Sequence, residues 1–254
     1  MDCEEAVYSN DYYDFIVDYS QQRRESAINV CQQTISQYFS IKYLPRSESL
    51  PLNIVNYSYT SIPKCFALMD ESALEASGIL KIQNQPALSL KGQGVLIGFL
   101  DTGIDYESQV FRNSDGSTRI LAVWDQTDRT GKPPEGFIYG TEYTEVEINE
   151  ALNSMNPKAV VPITDPEGHG TFIASVAAGS EVPEQDCIGA APASRIVMVK
   201  LKPAKEYLRE FFFVPRDAEA FQENDIMAGV AYLEQVAQRH HMPLVICFGL
   251  GSNM

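Results

Sequence analysis

The sequence predicts an α/β fold, a doubly wound parallel sheet preceded by a small α+β unit, and two observations support this fold class. Three apolar runs, at residues 95–100, 195–201 and 243–249, have the length and composition of strands buried on both faces. Helical patterns lie between them, at residues 169–178 and 225–238. Strands that alternate with helices favour a parallel sheet covered by helices on both sides.

The first 69 residues are predicted to form the α+β unit. Residues 25–39 have apolar side chains at helical spacing and are predicted to be an amphipathic helix. The predicted strands of this unit are residues 14–20, 40–45 and 53–59. Residues 62–69, which contain Pro63, are predicted to be extended. The motifs that carry chemistry all lie in the second unit, residues 70–254.

Residues 106–164 interrupt the alternation of strands and helices in the second unit. The apolar residues 119–125 and 137–140 flank a turn cluster rich in Gly and Pro. We therefore predict a β-excursion that leaves the parallel sheet. In the helix that is predicted further along the chain, Asp225 is the expected N-cap.

Composition and charge exclude several classes of function. A formal net charge of -15 argues against nucleic acid and against an anionic membrane as partners. No run approaches the roughly 20 apolar residues of a membrane helix, and the acidic N-terminus has no apolar segment typical of a signal peptide. The five cysteines show no metal-ligand or redox spacing. We therefore expect free thiols in a reduced compartment, no disulfide, no metal ion and no cofactor.

Two short motifs carry the candidate chemistry. Asp101 follows the apolar run Val-Leu-Ile-Gly-Phe-Leu, and functional groups gather at the carboxyl ends of parallel strands. His169 lies between Gly168 and Gly170 at the start of a helix of small residues, where backbone segments can approach closely. An acid at a strand end and an imidazole at a helix start can together polarise a nucleophile. Asp101 and His169 are therefore the predicted catalytic residues.

The residues around Asp101 also match a different class of hydrolase. Leu-Asp-Thr-Gly is the signature of aspartic proteases, in which two carboxylates share one proton. That mechanism requires a second such string, or a homodimer that supplies it, and the chain contains a single copy. A dimeric aspartic protease therefore stays open as an alternative.

Taken together, the motifs resemble those of the subtilisin-like serine proteases, the subtilases. Asp-Thr-Gly-Ile-Asp at residues 101–105 and Gly-His-Gly-Thr at residues 168–171 resemble the family's Asp and His motifs, in the family's order. Gly-Ala-Ala-Pro at residues 189–192 and the run at residues 245–252 resemble two further motifs of the family. The region of Trp124 and the acidic, Tyr-rich N-terminus resemble the clostridial spore-germination (Csp-type) branch.

The resemblance implies roles for particular residues. Asp101 would orient the imidazole, and His169 would act as general base and acid for a serine that attacks a polypeptide substrate. The backbone of Gly249, Leu250 and Gly251 would bind the substrate chain by strand addition. Residues 1–69 would be a prodomain whose tail, residues 65–69, lies in the cleft, with self-cleavage near Met69–Asp70 in a full enzyme. A permanent accessory domain is the alternative.

The sequence departs from the family at the nucleophile. Neither the Gly-Thr-Ser-x-Ala-x-Pro string of the family's serine nor the Ala-Gly-Asn string of its oxyanion hole occurs in these 254 residues. The resemblance therefore implies the N-terminal portion of a serine endopeptidase, with an incomplete subtilisin-like sheet and no activity alone. A non-catalytic pseudoprotease, or a prodomain-type inhibitor or binding module, is the alternative.

Overall fold

A five-stranded mixed sheet forms the centre of the computed structural model, which describes residues 3–19, 31–68, 90–182 and 188–251. The strands are β1 (Tyr12–Asp18), β2 (Cys31–Thr34), β3 (Phe39–Pro45), β4 (Cys65–Leu68), β5 (Leu96–Asp101), β6 (Ile120–Asp125), β7 (Thr141–Thr144), β8 (Arg195–Lys200), β9 (Phe221–Gln222), β10 (Leu244–Phe248) and β11 (Leu250–Gly251). The helices are α1 (Cys3–Tyr8), α2 (Glu145–Leu152), α3 (Pro157–Val160), α4 (His169–Ala178), α5 (Glu206–Phe211) and α6 (Glu223–Arg239).

The central sheet has the strand order β10-β5-β8-β6-β7, in which the first four strands are parallel. The three predicted parallel strands are confirmed as β5, β8 and β10, and the two predicted helices as α4 and α6. Every residue of β5 is buried because helices cover both faces. Leu96 and Leu100 pack in the core that includes α6, whereas Ile97 and Phe99 pack in the core that includes α4.

The segment that was predicted to leave the sheet instead contributes two strands to it. β6 lies inside the sheet, parallel to β8, and β7 is the antiparallel edge strand. Residues 137–140 add no strand; Phe137 and Tyr139 instead fold over the sheet and pack against the indole of Trp124. The indole N–H of Trp124 donates to the backbone oxygen of Tyr139 and holds this cover in place. The aromatic side chains of Phe137 and Tyr139 therefore pack over β6, which is a regular strand of the sheet.

The N-terminal unit contains a small antiparallel sheet of order β1-β3-β2. β1 and β3 confirm two of the predicted strands. The predicted helix at residues 25–39 is wrong within residues 31–39, because Cys31–Thr34 is β2; residues 20–30 lie outside the described residues. Cys31 and Gln33 are buried in alternation with their neighbours, so pairing with β3 overrides the helical spacing.

Two further local predictions are wrong because polar side chains make other bonds. Residues 53–59 form turns rather than a strand, since Oδ1 of Asn53 accepts the backbone N–H groups of Val55 and Asn56. Asp225 is not the N-cap of α6, which begins at Glu223. The carboxylate of Asp225 is buried in the first turn, 2.6 Å from Nζ of Lys202.

A disulfide joins Cys3 of α1 to Cys31 of β2, with 5.2 Å between the Cα atoms. The prediction of free thiols without a disulfide is therefore wrong for this pair. The spacing of 28 residues resembles no short motif, and the two cysteines meet only because α1 packs against the antiparallel sheet. Within the described part of the chain, Cys65 and Cys247 are free.

Candidate active site

Asp101 ends β5 at the carboxyl edge of the parallel sheet and is almost completely buried. Its Oδ1 accepts the backbone N–H of Thr102 at 2.8 Å. Burial raises the pKa of the Asp101 carboxyl above its ordinary value, and the hydrogen bonds from His169 and Thr102 oppose that rise. The sheet thus presents one carboxylate in a fixed orientation at the end of β5, one of its inner strands.

His169 is the first residue of α4, immediately after Gly168, whose φ of 75° lies in the left-handed region that favours glycine. The next residue, Gly170, packs directly on the turn that follows Asp101. A Cβ at this position would lie 2.2 Å from the backbone oxygen of Gly103. Glycine at position 170 therefore allows the start of α4 to contact the end of β5.

The structure brings the two predicted catalytic residues together. Nδ1 of His169 lies 2.7 Å from Oδ1 of Asp101, and the imidazole is 16% exposed while the carboxylate is 1% exposed. Because a carboxylate only accepts, Nδ1–H of a neutral His169 is the donor, which places the ring's lone pair on Nε2. This geometry is that of a general base oriented by an acid.

A second carboxylate, that of Asp165, joins the two motifs from the side. Its Oδ1 accepts the hydroxyl of Thr102 at 2.6 Å, and its Oδ2 accepts the backbone N–H of Thr171 at 2.7 Å. Thr102 follows Asp101 and Thr171 lies in the first turn of α4, so Asp165 connects the two elements that carry the pair. The sequence indicated this residue only by its position four residues before His169.

The predicted substrate-binding residues lie beside the pair and on a neighbouring strand. At Gly249 a Cβ would lie 2.9 Å from Oδ2 of Asp101 and 3.2 Å from Cε1 of His169, so this glycine contacts the pair directly. Leu250 and Gly251 form β11, which pairs antiparallel with β4 of the N-terminal unit. The backbone of these two residues is thus engaged by an extended segment of the same chain.

β4 is the middle strand of a three-stranded antiparallel sheet of order β11-β4-β9. The extended run predicted at residues 62–69 is confirmed at Cys65–Leu68, and Met69 lies outside the described residues. Sequence reasoning missed β9, Phe221–Gln222, as the second flank. β9 has only two residues, directly before α6, and two residues are too few to show the period-two pattern of a strand.

A metal centre and a membrane-spanning helix have no candidate among the residues that the structure describes. These residues contain no cluster of three or more His, Cys, Asp or Glu side chains that could hold a metal ion. None of the described helices is both long and apolar enough to cross a membrane.

Comparisons with known proteins show which family the chain resembles. The subtilase family model, peptidase S8, matches residues 92–239. The subtilisin-like proteases SBT3.6 and SBT3.5 of Arabidopsis thaliana are 31% and 33% identical to the chain over 128 residues, and each match covers 43% of this chain and 16% of the relative. The solved structure of the Clostridium perfringens CspB protease matches with a TM-score of 0.55 and 32% identity, covering 68% of this chain and 32% of that chain.

The chain thus spans about a sixth of the length of the curated relatives that it matches, and about a third of the clostridial protease. The matched part includes both β5, which ends at Asp101, and the start of α4, which carries His169. Since the family model covers more than half of the 254 residues, the chain belongs to the subtilase family of subtilisin-like proteases.

Proposed function

We propose that this chain supplies the Asp and His of a subtilisin-type serine endopeptidase. The observation that carries the proposal is the 2.7 Å bond between Nδ1 of His169 and Oδ1 of Asp101 at the carboxyl edge of the sheet. In this role, Nε2 of His169 takes the proton of a serine hydroxyl as that oxygen attacks a peptide carbonyl. It then returns the proton to the leaving amine, and water hydrolyses the acyl-enzyme. Asp101 stabilises the imidazolium that forms between these steps.

The nucleophile in this proposal comes from polypeptide outside these 254 residues, because the family's serine string does not occur among them. The isolated chain then has no acyl-transfer activity. Asp101 bonds to an imidazole rather than to a second carboxylate, which favours the serine mechanism over a dimeric aspartic protease.

The same proposal assigns the N-terminal unit, residues 1–69, as a prodomain with its tail in the substrate cleft. Two observations support it: β4 pairs on both sides, with β9 and with β11, and it runs toward the Asp101–His169 pair. Ala67 lies opposite Gly251, and Leu68 lies opposite Leu250, the neighbour of Gly249. A substrate strand bound by strand addition would occupy this place. In this proposal, self-cleavage falls near Met69–Asp70.

A chimeric protein tests the proposal. Residues 1–251 replace the matching part of the clostridial CspB protease, and the product is assayed for cleavage at Met69–Asp70 by mass spectrometry and for hydrolysis of a fluorogenic peptide. We expect both activities in the chimera. His169→Ala or Asp101→Asn should lower the rate of hydrolysis by about 10³-fold or more.

The parent protease is the positive control. The isolated chain is the negative control and should not react with a serine-hydrolase probe. A folded chimera that binds peptide but neither cleaves itself nor hydrolyses the substrate would refute the catalytic proposal. That outcome would favour the second candidate, a non-catalytic binding module, for which the double-sided pairing of β4 is the supporting observation.

A further inference from the structure

Asp165 makes a set of bonds that reaches both elements of the candidate site. Its Oδ1 accepts the hydroxyl of Thr102 at 2.6 Å and the backbone N–H of Gly168 at 3.2 Å. Its Oδ2 accepts both the backbone N–H and the hydroxyl of Thr171, at 2.7 and 2.6 Å. Such charge-assisted bonds are stronger than those between neutral groups. One carboxylate thus fixes the first turn of α4 relative to the turn after β5.

The hydroxyl of Thr102 has two acceptors within reach. Its Oγ1 lies 2.6 Å from Oδ1 of Asp165 but also 3.3 Å from Oδ1 of Asp101, the oxygen that binds His169. A hydroxyl has one proton to donate. The shorter bond to Asp165 commits that proton, and the lone pairs of Oγ1 then accept the backbone N–H of Gly170 at 3.0 Å.

Without Asp165 the same hydroxyl would turn to Asp101. A third donor would then share the oxygen that already accepts Thr102 N–H and His169 Nδ1–H. A carboxylate oxygen with an additional donor is a weaker partner for an imidazolium, because its negative charge is spread over more bonds. The start of α4 would also lose the acceptor of its Thr171 N–H.

We infer that Asp165 is a positioning residue for the Asp101–His169 pair, acting by holding the Thr102 hydroxyl away from Asp101 and by anchoring the first turn of α4. Asp165 does not touch the reacting atoms. The inference rests on the proposed function for its catalytic meaning, but its physical content is a property of this chain alone.

Nuclear magnetic resonance of the 254-residue chain tests this inference. The chain has three histidines, and the exposed His240 and His241 serve as internal references for the titration of His169. We expect Asp165→Asn to move the titration midpoint of His169 to lower pH by about 0.5–1 unit. It should also weaken or abolish the low-field resonance of the Nδ1 proton.

Two controls separate positioning from a general effect of charge or stability. Glu167→Gln removes the same charge from an exposed side chain two residues away and should move the midpoint by much less. Thr102→Ser keeps the hydroxyl and should leave the midpoint unchanged. Thr102→Val removes the bonds of Oγ1 to Asp165 and to the Gly170 N–H, which link the start of α4 to the turn after β5, and should therefore alter the Nδ1 resonance. If Asp165→Asn does not fold, the comparison of the two Thr102 variants tests the inference.

Equal midpoints in Asp165→Asn and Glu167→Gln would overturn the inference, and so would identical spectra of the Ser and Val variants at position 102. These measurements do not depend on peptide hydrolysis. An inactive chimera with an Asp165-dependent titration of His169 would therefore refute the proposed function and leave this inference standing. An active chimera with an Asp165-independent titration of His169 would refute this inference and leave the proposed function standing.

Discussion

At the scale of single residues, Gly170 decides whether the two halves of the candidate site can touch. A Cβ at this position would lie 2.2 Å from the backbone oxygen of Gly103 and 3.0 Å from Cβ of Asp101. Neither neighbour can move without displacing the turn that holds the carboxylate. We expect Gly170→Ala to lower the free energy of unfolding by about 2–3 kcal/mol, measured by urea denaturation.

Gly229 in α6 provides the matched control, because it is also a glycine inside a helix. There a Cβ would meet Cδ2 of Leu100 at 2.4 Å, which is the end of a flexible side chain rather than backbone. Alanine also has a helix propensity that is better by about 1 kcal/mol. Gly229→Ala should therefore lower the stability by about 1 kcal/mol or less. Equal losses at the two positions would contradict the role assigned to Gly170.

At the scale of elements, the sequence predicts best where one strand or helix carries its own signal. β5 is recognisable because both of its faces are buried, so its apolar run is continuous. α4 is recognisable from its small residues and the glycines at its start. Asp101 and His169 lie at the ends of these two elements, which is why the sequence predicts both of them.

The elements that were missed or predicted wrongly depend on partners outside the element itself. β2 has the apolar spacing of a helix, but it forms a strand because β3 pairs with it and because the amide of Gln33 donates to the backbone oxygen of Gly136. β9 has two residues and exists because β4 lies beside it. The bond from Gln33 to Gly136 and the pairing of β9 with β4 join segments far apart in the chain, and none of these partners is visible in the periodicity of the segment itself.

The disulfide between α1 and β2 allows a prediction at the same scale. A cross-link that closes a loop of 28 residues restricts the unfolded chain, and loop-closure entropy estimates its effect at about 3–4 kcal/mol. We expect the double variant Cys3→Ala/Cys31→Ala to lose roughly this much stability in urea denaturation. A thiol reductant should lower the unfolding midpoint of the natural chain toward that of the variant, which itself should not respond. Identical midpoints of the natural chain with and without reductant would contradict the prediction.

At the scale of the whole molecule, a buried ion pair joins the N-terminal unit to the unit that carries the candidate site. The ammonium of Lys205 donates to Asp14 of β1 and to the backbone oxygen of Ala6 of α1. The amides of Gln222 and Asn224 donate to the other oxygen of Asp14. Apolar clusters with residues from both units also join them, and the polar group around Asp14 includes Gln222 of β9, which flanks β4.

Removing the negative charge of Asp14 should destabilise the molecule strongly, because it leaves the buried ammonium of Lys205 uncompensated. We expect Asp14→Asn to lower the free energy of unfolding by about 3–5 kcal/mol at pH 7. Adding Lys205→Met should recover most of that loss, while Glu4→Gln, which breaks an exposed pair with Arg129, should change less than 1 kcal/mol.

The loss in Asp14→Asn should also depend on pH, with a sign that follows from burial. Burial lowers the pKa of Lys205, and the charge of Asp14 opposes this effect in the natural chain. In Asp14→Asn the folded state therefore releases the Lys205 proton at a lower pH than the unfolded chain does. Lysines in an unfolded chain have a pKa of about 10.4. The unfolded state then binds more protons, so the stability of the variant rises with pH between the two values. Urea denaturation at pH 7 and pH 9.5 should show the deficit shrinking, and a deficit that is constant or grows would mean that Lys205 does not carry the uncompensated charge.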